Sequence, residues 1–183
     1  MILPVYVYGS PILRKVAVEI TPDYPDLKQF FTDMWDTMYY ADGVGLAAPQ
    51  VGRSIRLIVI DTSVIAKDDE AAKNFKKLLI NPTIIERTGD QMSYTEGCLS
   101  IPGLHENVAR DSKVRIKYYD ENFVEHNESY EGVIARVIQH EYDHLEGIMF
   151  VDRLSALRKK LIKSKLIGMT KGKYDADYKT KIG

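Results

Sequence analysis

The chain has 183 residues, 45% hydrophobic and 28% charged, which suits one domain with a real core and argues against a disordered or low-complexity protein. No apolar run approaches the roughly 18 residues of a membrane span, and the start Met1-Ile2-Leu3-Pro4-Val5-Tyr6 has no basic n-region or apolar h-region, so a single domain over 1–183, cytoplasmic and without a membrane partner, is expected. The lone cysteine, Cys98, excludes an intramolecular disulfide, and the net charge of −1 splits into +8 over 153–183 (ten Lys/Arg, two Asp) and −9 over the rest, a basic tail on an acidic body.

In chain order, Ser10-Pro11-Ile12-Leu13-Arg14 reads as a turn after a short extended start. From Pro25 to about Tyr40, Leu27, Phe30, Phe31, Met34, Trp35 and Met38 recur at helical spacing and predict a core-facing helix. Asp42 to Gly52 reads as a loop in which Gly43 and Gly45 free the backbone for close approach. It lacks the third glycine and the preceding strand of a dinucleotide fingerprint. Ile55–Ile60 predicts a buried strand, and 61–75 a solvated excursion. Leu78–Glu86 predicts a strand with an edge or bulge at Pro82. Val114–Asp120 alternates as a half-buried strand does, Asp120-Glu121-Asn122 makes a hairpin turn, and Phe123–Tyr130 returns as its partner.

A helix then begins near Tyr130–Gly132, with Val133, Ile134, Val137, Ile138 and Leu145 as its apolar stripe and Gly147 as its stop. It carries Gln139-His140-Glu141-Tyr142-Asp143-His144, which reads H-E-x-x-H. His140 and His144 leave one face a turn apart and can reach one divalent ion, while Glu141 is placed to touch a water on that ion. That face continues the core face, so the helix is expected to be central and buried. A last helix over Leu154–Leu166, with Leu154, Leu157, Leu161, Ile162 and Leu166 apolar and Lys/Arg elsewhere, leads to a polar, loosely held tail after Gly168. The fold class these patterns predict is α+β, with antiparallel or mixed β-sheets packed around the H-E-x-x-H helix and a C-terminal helix.

Two histidines need a third protein ligand. No histidine or glutamate follows Glu146, which points away from the His140–His144 face, and Asp152 is the one acid close downstream. The candidates for a third ligand therefore lie upstream: Cys98, His105 and His126. His126 sits in the polar hairpin return. His105 has undistinguished neighbours. Cys98 lies between Gly97 and Pro102-Gly103, and a thiolate beside two imidazoles makes a good divalent-metal set.

Gly43-Val44-Gly45-Leu46-Ala47-Ala48-Pro49-Gln50, Glu96-Gly97-Cys98-Leu99-Ser100 and Gln139-His140-Glu141-Tyr142-Asp143-His144-Leu145 together resemble the three motifs of the peptide deformylase family, complete and in order over about residues 1–155. The resemblance implies Cys98, His140 and His144 as metal ligands, with water in the fourth place. It implies Glu141 as general base and then acid. Gln50 and the Leu99 backbone N–H become donors to the developing oxyanion. Gly45, Gly97 and Val137 become substrate contacts, and Glu96 pairs with Arg110 to hold the cysteine loop. Apart from the resemblance, Asp143 reads either as orienting a ligand histidine through its other ring nitrogen or as a solvated acid on the helix. The implied reaction removes formyl from the N-terminal N-formylmethionine of new polypeptides, with Fe(II) favoured in the cell and Zn(II), Ni(II) or Co(II) able to occupy the site. The basic end suggests contact with the ribosome. Two rivals stand beside this: a zinc endopeptidase sharing H-E-x-x-H, and a non-catalytic, metal-stabilised module binding RNA or the ribosome.

Overall fold

The fold is described from a computed structural model covering all residues 1–183. In chain order the elements are β1 (Val5–Tyr6), α1 (Leu27–Tyr40), β2 (Gly45–Ala47), β3 (Leu57–Asp61), α2 (Glu70–Lys73), β4 (Lys76–Cys98), β5 (Ile101–Tyr119), β6 (Glu125–Glu131), α3 (Gly132–Leu145), α4 (Ala156–Thr170) and β7 (Thr180–Lys181). Short 3-10 turns cover Pro11–Arg14, Ala48–Val51 and Phe150–Arg153. One sheet runs β2-β3-β4-β5-β6 with every pair antiparallel, and β1 pairs in parallel with β7 in a second. This is the expected α+β architecture, with α3 packed on β5, β2, β3 and β6.

β3 shows why its sequence is continuously apolar. Ile58 and Ile60 face one cluster, with Leu79, Val114, Ile116, Ile134 and Ile138, under α3. Leu57 and Val59 face another, with Phe30, Met34, Met38, Leu46 and Ile80, under α1. Successive side chains point to opposite faces and both faces are covered. A third cluster joins Val7, Leu13, Ile101, Leu104, Val108, Phe150, Ile162, Leu166 and Met169, and so ties the start of the chain, β5 and α4 together.

α3 ends as its sequence predicts. Gly147 has φ 70°; its N–H donates to the His144 carbonyl at 3.3 Å, and the Ile148 N–H to the Asp143 carbonyl at 2.9 Å. This paired closure holds the last turn, which carries His144, in register.

Several expectations need correction. The 42–52 loop contains β2, the edge strand beside β3. The 61–75 excursion contains α2 and contributes buried Ala66, Ala72 and Phe75. Pro82 does sit at a bulge, but β4 continues past it to Cys98 and pairs with β5 in a long hairpin. From Glu86 to Thr95 every β4 side chain is exposed, so no two-residue apolar alternation marks that part as strand. On α4, Ile162, Leu166 and Met169 are buried, whereas Leu157 and Leu161 are 67% and 61% exposed. The helix touches the body along a narrow strip. The tail after Gly168 is not loose: the Val5 N–H donates to the Lys179 carbonyl at 2.9 Å and the Val7 N–H to the Lys181 carbonyl at 3.0 Å.

Candidate metal and active site

Three elements bring the site together. α3 delivers His140, Glu141 and His144. The turn linking β4 to β5 delivers Cys98 and Leu99, and the 3-10 turn after β2 delivers Gln50. The donor atoms of Cys98, His140 and His144 lie within 4.8 Å of one another, with Cys98 Sγ 3.2 Å from His144 Nε2. His140 and His144 are both buried. Thiolate and imidazole are a suitable set for a small divalent ion. Buried His144 Nδ1 and Glu141 Oε2 have no hydrogen-bond partner in the protein. An orphaned carboxylate oxygen beside such a donor set fits a site completed by a metal and its water.

Electrostatics differ sharply from residue to residue. Burial pushes the Glu141 carboxyl up to about 7, with Glu96 and Asp143 adding to the rise; a cation beside it would oppose that rise. Burial also holds the His144 ring well below its ordinary value. His140 is buried too, but bonding to Cys98 and Glu96 raises it well above the ordinary value. Burial alone would raise Glu96; the Arg110 guanidinium and His140 outweigh that and bring it down to about 2.

Glu96 is the hub of the ligand support. Its Oε1 meets His140 Nδ1 at 2.8 Å. Arg110 donates to it through Nε at 2.6 Å and Nη2 at 2.9 Å, and Arg136 Nη1 donates at 2.6 Å. The Nδ1 contact leaves the other ring nitrogen of His140 available to a metal ion. The expected Glu96–Arg110 pair is therefore present. Asp143 does not orient a histidine. It accepts from Arg110 Nη1 at 2.8 Å and from Arg153 Nε and Nη2, each at 2.6 Å. The helical position that puts Asp143 near the ligands faces it toward two guanidiniums instead.

Gln50 is 1% exposed. Its Oε1 accepts from the Ala47 N–H at 2.8 Å, which fixes the amide and turns Nε2 toward Ser100 Oγ, 3.1 Å away, and Cys98 Sγ, 3.5 Å away. The Leu99 N–H makes no hydrogen bond inside the protein. Gly45 is needed for space: a Cβ there would lie 2.5 Å from Glu141 Oε1. A Cβ on Gly97 would lie 2.6 Å from the His105 ring, so His105 stands at the cleft beside the cysteine loop and is not among the clustered donors. His126 bonds Asp120 on the hairpin. Glu146 pairs with Arg56 and Asp152 with Arg14, which accounts for both downstream acids.

These groups line a cleft of about 710 Å³ that takes in Gly45, Gln50, Gly97, Leu99, Val137 and Tyr178, a size that holds a short peptide end. Arg136, Arg153 and Tyr178 have no place among the sequence-based expectations, and Ser100 figures there only as the end of the cysteine motif. Tyr178 carried a legible signal. Tyr174, Ala176, Tyr178 and Thr180 alternate with charged Asp175, Asp177, Lys179 and Lys181, the period of a half-buried extended segment.

The polypeptide deformylase family model matches residues 2–160. The chain belongs to the polypeptide deformylase family. It is accordingly an enzyme, a metal-dependent hydrolase, and the endopeptidase and non-catalytic alternatives fall away. Among curated deformylases, that of Christiangramia forsetii is 53% identical across 100% of this chain and 96% of the relative. That of Flavobacterium johnsoniae is 50% identical, also across 100% of this chain and 96% of its own length. Among crystal structures, a Legionella pneumophila peptide deformylase superposes with TM-score 0.80 at 37% identity, covering 93% of this chain and 96% of the other. A Synechococcus elongatus peptide deformylase in complex with actinonin does so with TM-score 0.79 at 40% identity, covering 89% of this chain and 87% of the other. No helix of this deformylase is long and apolar enough to cross a membrane.

Proposed function

We propose that this chain removes the formyl group from the N-terminal formylmethionine of newly made polypeptides, with Glu141 moving the proton. The observation that carries the reading is the convergence of Cys98, His140 and His144 beside a buried, unpartnered Glu141 carboxylate. Those three side chains would hold the ion, and thiolate with two imidazoles suits Fe(II), Zn(II), Ni(II) or Co(II); Fe(II) is the ion we favour in the cell. When bound, such an ion supplies Lewis acidity and brings the pKa of water down toward about 7.

Glu141 takes the proton from the attacking water and returns it to the leaving amine as the C–N bond breaks. The products are formate and a peptide with a free amino terminus. Negative charge develops on the formyl oxygen during attack. Gln50 Nε2, locked by Ala47, and the free Leu99 N–H are the protein's donors to it; losing one donor of this kind commonly costs about 2.7–4 kcal/mol. Gly45 leaves room for Glu141, Gly97 lets the cysteine loop pass His105, and Val137 offers apolar surface to the methionine side chain. Residues 1–183 act as one deformylase domain in the cytoplasm, and the lysines of α4 form the face we assign to contact with the ribosome.

The test is formate release from formyl-Met-Ala-Ser, with the N-acetyl analogue and an internal peptide bond as controls, at known metal content. Wild type should prefer the formyl peptide. Glu141→Gln should keep the metal and lose about 10²–10⁴ in rate, the range of a lost general acid–base. Formate release that persists in that variant removes Glu141 from the role, and preference for the internal bond removes the deformylase reading.

A further inference from the structure

Both ends of the chain meet behind the cysteine loop. β7 lies along β1, with Val5 opposite Thr180 and Tyr6 opposite Lys181, and the Gly183 N–H donates to Ser10 Oγ at 3.0 Å. Tyr174 Oη donates to Thr180 Oγ1 at 2.9 Å, which closes the tail on itself. From this platform two donors reach the segment that follows Cys98. Tyr178 Oη donates to the Leu99 carbonyl at 2.7 Å, and the Tyr8 N–H donates to the Ser100 carbonyl at 2.8 Å. Gln50 Nε2 holds the same Ser100 through its hydroxyl, 3.1 Å away. Tyr178 is half-buried and lines the cleft with Gly97 and Leu99. It lies beyond residue 160, where the match to the family model stops.

We propose that Tyr178 is a positioning residue for catalysis. Leu99 is held at its N-terminal side by Cys98 and at its carbonyl by the Tyr178 hydroxyl. Cys98 is paired with Ile101 on one side and the Leu99 carbonyl is tied on the other, which limits rotation about the φ and ψ of Leu99 and so keeps its unpaired N–H aimed for the oxyanion. Preorganised donors act on the transition state more than on bound substrate, so loss of the anchor lowers kcat and leaves KM nearly alone. The ring has a separate effect: as part of the cleft wall it contributes to substrate binding. The inference rests on the deformylase reading of the site.

The experiment compares wild type, Tyr178→Phe and Tyr178→Ala, each zinc-loaded to equal occupancy. It reads formate release from formyl-Met-Ala-Ser, melting midpoint, and amide relaxation dispersion at Leu99 and Ser100. Tyr178→Phe keeps the ring, so midpoint and metal content should stay near wild type. Its kcat per bound metal should fall roughly two- to tenfold, the range one neutral hydrogen bond is worth, with KM unchanged and new microsecond–millisecond exchange at Leu99 and Ser100. Tyr178→Ala should show the same kcat loss and a raised KM. A Tyr178→Phe enzyme with wild-type kcat per metal, or one changed only in KM, overturns the proposal. Should wild type itself release no formate, the deformylase reading fails, and the dispersion data judge the anchor alone: exchange appearing in Tyr178→Phe upholds it, and unchanged signals overturn it.

Discussion

Glu96 is 7% exposed and takes on three cationic or ligand partners. Its carboxylate is held far below the ordinary range, to about 2, chiefly by Arg110 acting against burial. It stays ionised across the physiological range and holds His140 at Nδ1, so that on the proposed ligand set the other ring nitrogen is the one left for the metal. A positioning group of this kind is commonly worth 10–100-fold in metal affinity. Glu96→Gln keeps the shape and removes the charge, so zinc affinity measured against a chromophoric chelator should fall by about that factor. Wild-type affinity in the variant would show that the His140 contact does not tune the ligand. Arg110, 4% exposed, is the other end of the same arrangement; it links the cysteine loop to α3 through Asp143.

At the scale of elements, α4 shows how little a stripe of leucines says about which of them is covered. Met169 and Ile162 are each 4% exposed, against more than half for Leu157 and Leu161. Ile162→Ala and Met169→Ala should each cost about 2–5 kcal/mol in denaturant unfolding, while Leu157→Ala and Leu161→Ala should stay within about 0.5 kcal/mol. Equal costs for the two pairs would mean that α4 packs differently. The sequence patterns that worked were those with one clear apolar face or a run covered on both sides: α1, α3, β3 and the 114–130 hairpin. They failed in β4 beyond Glu86, where neither face is buried and strand order comes only from the partner β5. Cys98 could be favoured among the ligand candidates from its neighbours, but its role came through the resemblance. Asp143 misled, because helical position gives the direction of a side chain and not the guanidinium waiting there. Arg136 and Arg153 became visible only when distant segments were brought together.

Across the whole molecule, charge is divided as the sequence suggested, +8 over 153–183 against −9 elsewhere. The α4 lysines 159, 160, 163 and 165 are exposed, and Arg158 is drawn to Glu106 on the body. A contact with ribosomal RNA through the lysines should weaken steeply with salt, because each neutralised phosphate releases a counterion. Cutting the chain after Ser155 is a poor test, since it strips Ile162, Leu166 and Met169 from a core cluster and removes β7. Reversing Lys159, Lys160 and Lys163 to Glu leaves those contacts in place. Ribosome co-sedimentation should then drop and lose its salt dependence, with formyl-peptide turnover unchanged; retained sedimentation would remove α4 from the contact.

The pairing of β1 with β7 also orders the enzyme's own birth. Val5 leaves the ribosome early and must wait for Thr180, which is synthesised after every other element. Closing so long a loop is entropically costly and is expected late in folding. Until it closes, Tyr178 cannot reach the Leu99 carbonyl. On the role proposed for Tyr178, an enzyme that acts on new polypeptides reaches its own full activity only once β7 has been made and has paired with β1.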